Sequence, residues 1–161
     1  NNNSYCQDNE ISWIDWSLLK KNKELFEFFK FMIAYRKKHP VIRKKLDNAV
    51  CGMEGMHAHD VNADRMEVSQ NAKTLAVSFA GYDRKKCKDD LVYVAVNAYW
   101  EEVRITLPNL ANHGAWYLSV DTYGDENGKY CYEEGEEIRI DHEYVMKPRS
   151  IVVFTGRQVL R

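Results

Sequence analysis

Over residues 91–98 the chain is apolar on both alternate faces, with Val92, Val94 and Val96 on one and Leu91, Tyr93 and Ala95 on the other. A half-wet strand alternates apolar and polar positions, so this run reads as a central strand covered on both sides. Its neighbours are legible around it. Residues 74–80 alternate, with Leu75, Val77 and Phe79 on one face. Val103, Ile105 and Leu107 alternate with Glu102, Arg104 and Thr106, and that run stops at Pro108. Trp116, Leu118 and Val120 form another strand, Ile138 and Ile140 a short one, and residues 151–155 the last. Gly81, the stretches 109–114 and 124–128, and Gly135 supply the turns. Short strands with turns at such intervals predict a mainly β chain folded as an antiparallel β-sandwich. The mixed-charge run 84–90 is expected to be a solvated hairpin loop.

Ahead of the strands, residues 17–39 carry a different period. Leu25, Phe28, Phe29, Met32 and Ile33 follow the i, i+3, i+4, i+7, i+8 stripe of an amphipathic helix. Asn22 can cap its start, and Glu24 suits the positive end of the dipole. Arg36, Lys37, Lys38 and His39 suit the negative end, and Pro40 stops the helix. Phe26 and Phe31 lie off the stripe, so the helix is apolar over more of its circumference than one contact requires. It reads either as a wide core helix or as a helix built to pack against a second body.

With 161 residues the chain has room for one domain at ~150 residues per domain, or one domain plus an added element. Lys and Arg total 23 against 24 Asp and Glu, and this balance argues against a nucleic-acid binder or a polybasic membrane anchor. No apolar run reaches the ~20 residues of a membrane span, so no membrane partner is expected. Cys6, Cys51, Cys87 and Cys131 are widely spaced without a CxxC pair, which speaks against a zinc ribbon and favours reduced thiols in a cytoplasmic protein.

The chemical motifs are few. His57 and His59 would share one side of a strand, half of a zinc site, but no third ligand is placed to complete it. His113 and His142 have no nucleophile partner, and neither a nucleophile elbow nor a phosphate loop occurs. No metal, no cofactor and no catalytic residue is assigned. The opening sixteen residues are the most specific stretch. Asn1, Asn2, Asn3, Gln7 and Asn9 bring amides, Asp8 a carboxylate, and Tyr5, Trp13 and Trp16 aromatic rings. Sugars are held by this mixture: flat rings stack on the pyranose face while amides and carboxylates bond its hydroxyls.

This stretch resembles the segment after the last barrel strand in bacterial glycogen-debranching enzymes of the isoamylase and pullulanase type, glycoside hydrolases of the α-amylase superfamily. The family phrase is close to N-N-N-x-Y-C-Q-D-N-E-x-S-W-x-D-W, matched here from Asn1 to Trp16. The likeness continues through Ser17, Leu18 and Leu19, Phe28 and Phe29, Met32 and Ile33, and the run from Arg36 to Pro40. It returns in the strand 91–99, at Leu107 and Pro108, at Asp121 and Thr122, and at Pro148, Arg149 and Ser150.

The resemblance implies that residues 1–44 are the last loop and last helix of a truncated (β/α)8 barrel, and residues 45–161 a C-terminal antiparallel β-sandwich. It implies a parent that cleaves α-1,6 branch linkages of glycogen or limit dextrin with retention, its three carboxylates lying upstream of Asn1. The fragment is then expected to be inactive alone and to stabilise the barrel. Its partners would be an α-glucan, met through the parent, and the missing barrel. Tyr5, Gln7, Asp8 and Asn9 are the expected substrate-binding residues, with Trp13 and Trp16 as anchors of the loop. Two further readings follow from the residues. The sandwich could bind glucan through Tyr99, Trp100, Trp116, Tyr117, Tyr130 or Tyr132, or the chain could form a homodimer through the helix over 22–39.

Overall fold

A computed structural model of the chain describes residues 5–63, 72–111 and 114–158. His113 and Asn1 to Asn3 lie outside them. Contacts divide the chain into two units, Asn1–Tyr35 and Arg36–Arg161.

The first unit holds the opening loop and most of helix α1 (Lys23–Lys38). The helical stretch expected from residue 17 is split. A 3-10 turn, Trp16–Leu19, comes first, its start capped by Asp15, whose carboxylate accepts the Ser17 N–H at 2.9 Å. The α-helix begins where Asn22 accepts the Phe26 N–H at 3.0 Å. Glu24 occupies the first turn, and Arg36, Lys37 and Lys38 the last. A second 3-10 turn, Pro40–Ile42, follows because proline can start a turn but cannot continue the helix.

The second unit is built from strands β1 (Met56–His59), β2 (Thr74–Asp83), β3 (Lys88–Asn97), β4 (Val103–Thr106), β5 (Ala115–Asp121), β6 (Ile138–Ile140), β7 (Glu143–Met146) and β8 (Ile151–Arg157). Every pairing among the described residues is antiparallel. Six strands form one sheet in the order β1-β2-β3-β8-β5-β6, and β4 pairs with β7 in the other layer. The fold is the mainly β, antiparallel sandwich that the strand pattern predicts. β3 takes the central place, between β2 and β8.

The core lies between the two layers. Leu91, Tyr93 and Ala95 of β3, Trp116 and Leu118 of β5, and Val152 and Phe154 of β8 meet Ile105, Leu107 and Met146 from the small-sheet side. Tyr144 of β7 packs edge-on to Phe154, with centroids 5.3 Å apart. The buried Trp116 indole donates to the Pro108 carbonyl at 2.7 Å, so its one polar atom is satisfied. Gly156 stands opposite both Leu91 and Trp116. A Cβ there would lie 2.8 Å from Leu91 Cβ and 3.1 Å from Trp116 Cζ3, so glycine is what lets these two side chains close over β8.

Two expectations are revised. Leu75, Val77 and Phe79 do share a face of β2, but it is the less buried one; Thr74, Ala76, Ser78 and Ala80 point inward. The small side chains leave room for two rings. His59 and Tyr93 lie 5.4 Å apart, and the His59 ring reaches Ser78 Oγ at 2.9 Å.

The charged run 84–90 is a loop only through Cys87; β3 begins at Lys88, and Asp89 and Asp90 are buried. Asp89 accepts the N–H groups of Val50 and Cys51, each at 2.8 Å. Asp90 accepts the Val41 N–H at 3.0 Å and meets His39 Nδ1 at 2.6 Å. The two carboxylates therefore bind the turn after α1 and the segment around Val50 to the central strand.

Replacing Asp90 by Ala removes the acceptor of the buried Val41 N–H and the carboxylate beside the buried His39 ring, and urea unfolding should show a loss of about 1–3 kcal/mol. Asp90→Asn, which keeps one acceptor oxygen, should lose less. The Tyr93 hydroxyl is buried without a hydrogen-bond partner among the described residues, and burial pushes its phenol pKa well up. Tyr93→Phe removes an unsatisfied polar atom and keeps the ring, so its unfolding midpoint should be equal to or above that of the unsubstituted chain.

Candidate functional site

The four residues expected to meet substrate fall in one stretch of the first unit. Tyr5 and Cys6 both have positive φ, 47° and 60°, which turns the chain sharply. The following residues fold into a turn centred on Asn9. Its carbonyl accepts the N–H groups of Ser12, at 2.9 Å, and Trp13, at 3.1 Å. Its side-chain oxygen accepts the Ile11 N–H at 3.0 Å, the Asx pattern that favours Asn in turns. Its amide donates to Gln7 Oε1 at 3.1 Å, so Gln7 and Asn9 stand together. Ser12 Oγ donates to the Gln7 carbonyl at 2.6 Å and closes the turn from its far side.

Asp8 sits between them and accepts the Trp13 indole N–H at 2.6 Å. The loop thus collects an amide pair, a carboxylate and an indole within one turn. Tyr5 lies at its entry and is 80% exposed. Gln7 and Asp8 are exposed and Asn9 is half-buried. Trp13 and Trp16, expected as anchors, are instead 64% and 71% exposed. Trp13 is fixed by the Asp8 carboxylate rather than by apolar packing. Asp15 has its carboxyl held below the usual range by the Ser17 hydroxyl and N–H.

The apolar stripe of α1 is also open. Leu25, Phe29 and Ile33, at i, i+4 and i+8, are 57%, 58% and 54% exposed. Phe31 and Tyr35 stack at 6.1 Å, and Tyr35 is buried.

The second unit contributes a cleft of about 440 Å³, lined among others by Lys38, His39, Cys87, Asp89, Asp90 and Arg157. Its two adjacent carboxylates do not make a hydrolytic pair. Asp89 is taken up by two backbone N–H groups and by Gln158 Nε2 at 3.1 Å, and Asp90 by His39 and Val41. Carboxyls whose lone pairs are committed to the fold are not poised to attack a sugar or to activate water. The histidine pair of β1 is likewise structural. His59 uses both ring nitrogens, on the Ala63 carbonyl at 2.8 Å and on Ser78 Oγ, while His57 meets Glu54 at 3.3 Å. Among the described residues no group of three His, Cys, Asp or Glu side chains is arranged to hold a metal. All four cysteines are free thiols, and burial pushes the Cys131 thiol up to about 11.

Of the sandwich aromatics, Trp116 and Tyr132 are buried, which removes them as glucan contacts. Tyr117 is half-buried with the Arg157 guanidinium over its ring at 4.8 Å. Tyr99 and Trp100 remain at the surface, joined by Tyr123, 60% exposed, which sequence reasoning passed over because a lone tyrosine in a turn carries no period.

The mycobacterial "Glycogen operon protein GlgX homolog" of Mycobacterium bovis is 51% identical over 45 residues, 28% of this chain and 6% of that protein. Its counterpart in Haemophilus influenzae is 60% identical over 37 residues, 23% of this chain and 5% of that protein. The "Isoamylase" of Pseudomonas amyloderamosa is 26% identical over 122 residues, 76% of this chain and 16% of that protein. The chain therefore spans only a small part of the length of the relatives it matches. The family model "Isoamylase, C-terminal" covers residues 44–155, the stretch that holds every strand except the end of β8. With its antiparallel sandwich and this match over most of its length, the chain belongs to the isoamylase C-terminal domain family.

Proposed function

We propose that this chain is the C-terminal portion of a cytoplasmic α-glucan hydrolase that opens α-1,6 branch linkages of glycogen or limit dextrin. The family match over residues 44–155 is the observation that carries the reading. The amide, carboxylate and indole cluster of the opening loop supports it. In the intact enzyme residues 1–44 are the last loop and helix of the catalytic barrel, and residues 45–161 the sandwich that stabilises it. Tyr5, Gln7, Asp8 and Asn9 face the glucan there. The barrel supplies the nucleophile, the acid–base and the sugar-binding carboxylate of a retaining mechanism.

By itself the chain orients side chains without a reacting carboxylate beside them, and positioning without the reacting group gives no turnover. The open stripe Leu25, Phe29 and Ile33 favours a second reading, in which α1 pairs with another copy of the chain. A strict monomer in sedimentation at high concentration removes that reading.

Incubated with glycogen limit dextrin, the purified chain should release reducing ends at the buffer rate, while the product of the complete coding sequence releases them steadily. Turnover by the chain alone, or none by the complete product, would overturn the reading. In that complete product Asn9→Ala should raise KM several-fold, because it frees Gln7 and unfastens the turn.

A further inference from the structure

The loop between β3 and β4 presents two aromatic rings on an unusually well-fixed turn. Asn97, 1% exposed, directs every polar atom of its side chain into that loop and its neighbour. Its oxygen accepts the Tyr99 N–H at 3.0 Å, and its amide donates to the carbonyls of Glu101 and Lys147, each at 2.9 Å. The backbone adds the Ala98 N–H to the Lys73 carbonyl at 3.0 Å and the Arg149 N–H to the Tyr99 carbonyl at 3.0 Å. On this base the Tyr99 and Trp100 rings lie 4.1 Å apart with 37° between their planes, and Lys73 Nζ stands 3.7 Å from the Tyr99 centroid. Tyr99 is thereby covered by Lys73 and its neighbour ring, while Trp100 remains 66% exposed.

A large indole held in water gains nothing from burial in this fold, yet four hydrogen bonds fix the turn that displays it. Its surroundings are polar: Glu101, Glu102, Arg149 and Lys73 are all exposed, and Lys147 pairs with Glu102 at 2.5 Å. An apolar protein partner would meet a rim of charge here. A pyranose presents one flat C–H face to a ring and a border of hydroxyls to charged and amide groups, which is what this surface offers.

We infer that the turn 98–101 is a glucan-binding platform on the sandwich, with Trp100 as the stacking ring, Tyr99 as its support and Arg149 and Glu101 as hydroxyl partners. The choice of an α-glucan rests on the debranching reading above. The platform would hold a glycogen chain on the sandwich, away from the opening loop in sequence and independent of any hydrolytic step. An aromatic ring pre-ordered in this way binds without the entropy loss of fixing a mobile one.

The test is affinity electrophoresis of the 161-residue chain in native gels cast with glycogen, with carboxymethylcellulose as a β-linked control. The chain should be retarded by glycogen and not by the β-glucan. Trp100→Ala should weaken that retardation about tenfold, the scale of one lost stacking contact of roughly 1.4 kcal/mol. Trp100→Phe, which keeps a ring, should retain most of it.

Should Trp100→Ala not fold, a maltoheptaose titration of the unsubstituted chain followed by 1H–15N spectra decides. The Trp100 indole signal should shift and saturate while that of buried Trp116 stays still. No retardation, equal retardation of Trp100→Ala, equal binding to the β-glucan, or an unmoved Trp100 signal overturns the platform. None of these touches the debranching reading, which is judged on turnover by the complete product.

Discussion

Two neighbouring carboxylates at the start of the central strand hold this molecule together. Asp89 and Asp90 follow each other on β3, so their side chains leave on opposite faces of the sheet. Each finds backbone N–H groups from a different stretch of preceding chain, Asp89 at Val50 and Cys51 and Asp90 at Val41 beside His39. A buried carboxylate is expensive unless hydrogen bonds satisfy its charge. Here the satisfaction and the architecture are the same contacts. The segment after α1 has no strand ladder of its own, and these side chains stand in for one. Asp47 extends the theme: its carbonyl accepts the Tyr82 N–H at 2.9 Å, and its carboxylate pairs with Arg84.

Around this clamp the core is sorted by size. Large rings from β3, β5, β7 and β8 fill the space between the layers, and small residues of β2 and Gly156 of β8 make way for them. Polar atoms that enter are absorbed locally. Trp116 reaches Pro108, Ser119 bonds Thr155, and Tyr144 donates to Asp121 at 2.7 Å. Burial and then that bond push the Tyr144 phenol pKa well up. The chemically distinctive surfaces are the opening loop of the first unit and, in the second unit, the Tyr99–Trp100 turn.

Much of the fold was legible because strand periodicity reports burial directly. The doubly apolar run 91–98 marked the central strand, and Pro40 and Pro108 marked the ends of their elements. What escaped notice had one cause. Charge and size were read as surface signals where the structure uses them inside. Asp89 and Asp90 sit in a run of lysines and so resemble a solvated loop, and nothing local says that distant backbone amides await them. Leu75, Val77 and Phe79 form the more apolar face of β2, yet Tyr93 and His59 claim the space beside Ala76 and Ser78. Of the candidate site, the grouping of Gln7, Asp8 and Asn9 was visible in composition, whereas the Asp8–Trp13 bond depends on a turn that spacing alone does not specify. Trp116 and Trp100 look alike in sequence; only three-dimensional packing separates the core ring from the displayed one.

The account turns on backbone amides held by buried side-chain carboxylates in a segment without a ladder, and native-state hydrogen exchange reads this directly. The amides of Val41, Val50 and Cys51 should exchange only when the whole sandwich unfolds, with the same opening free energy as the β3 amides. If these three exchange as freely as exposed loop amides while β3 stays protected, the clamp does not hold the preceding chain to the sheet, and the account is contradicted.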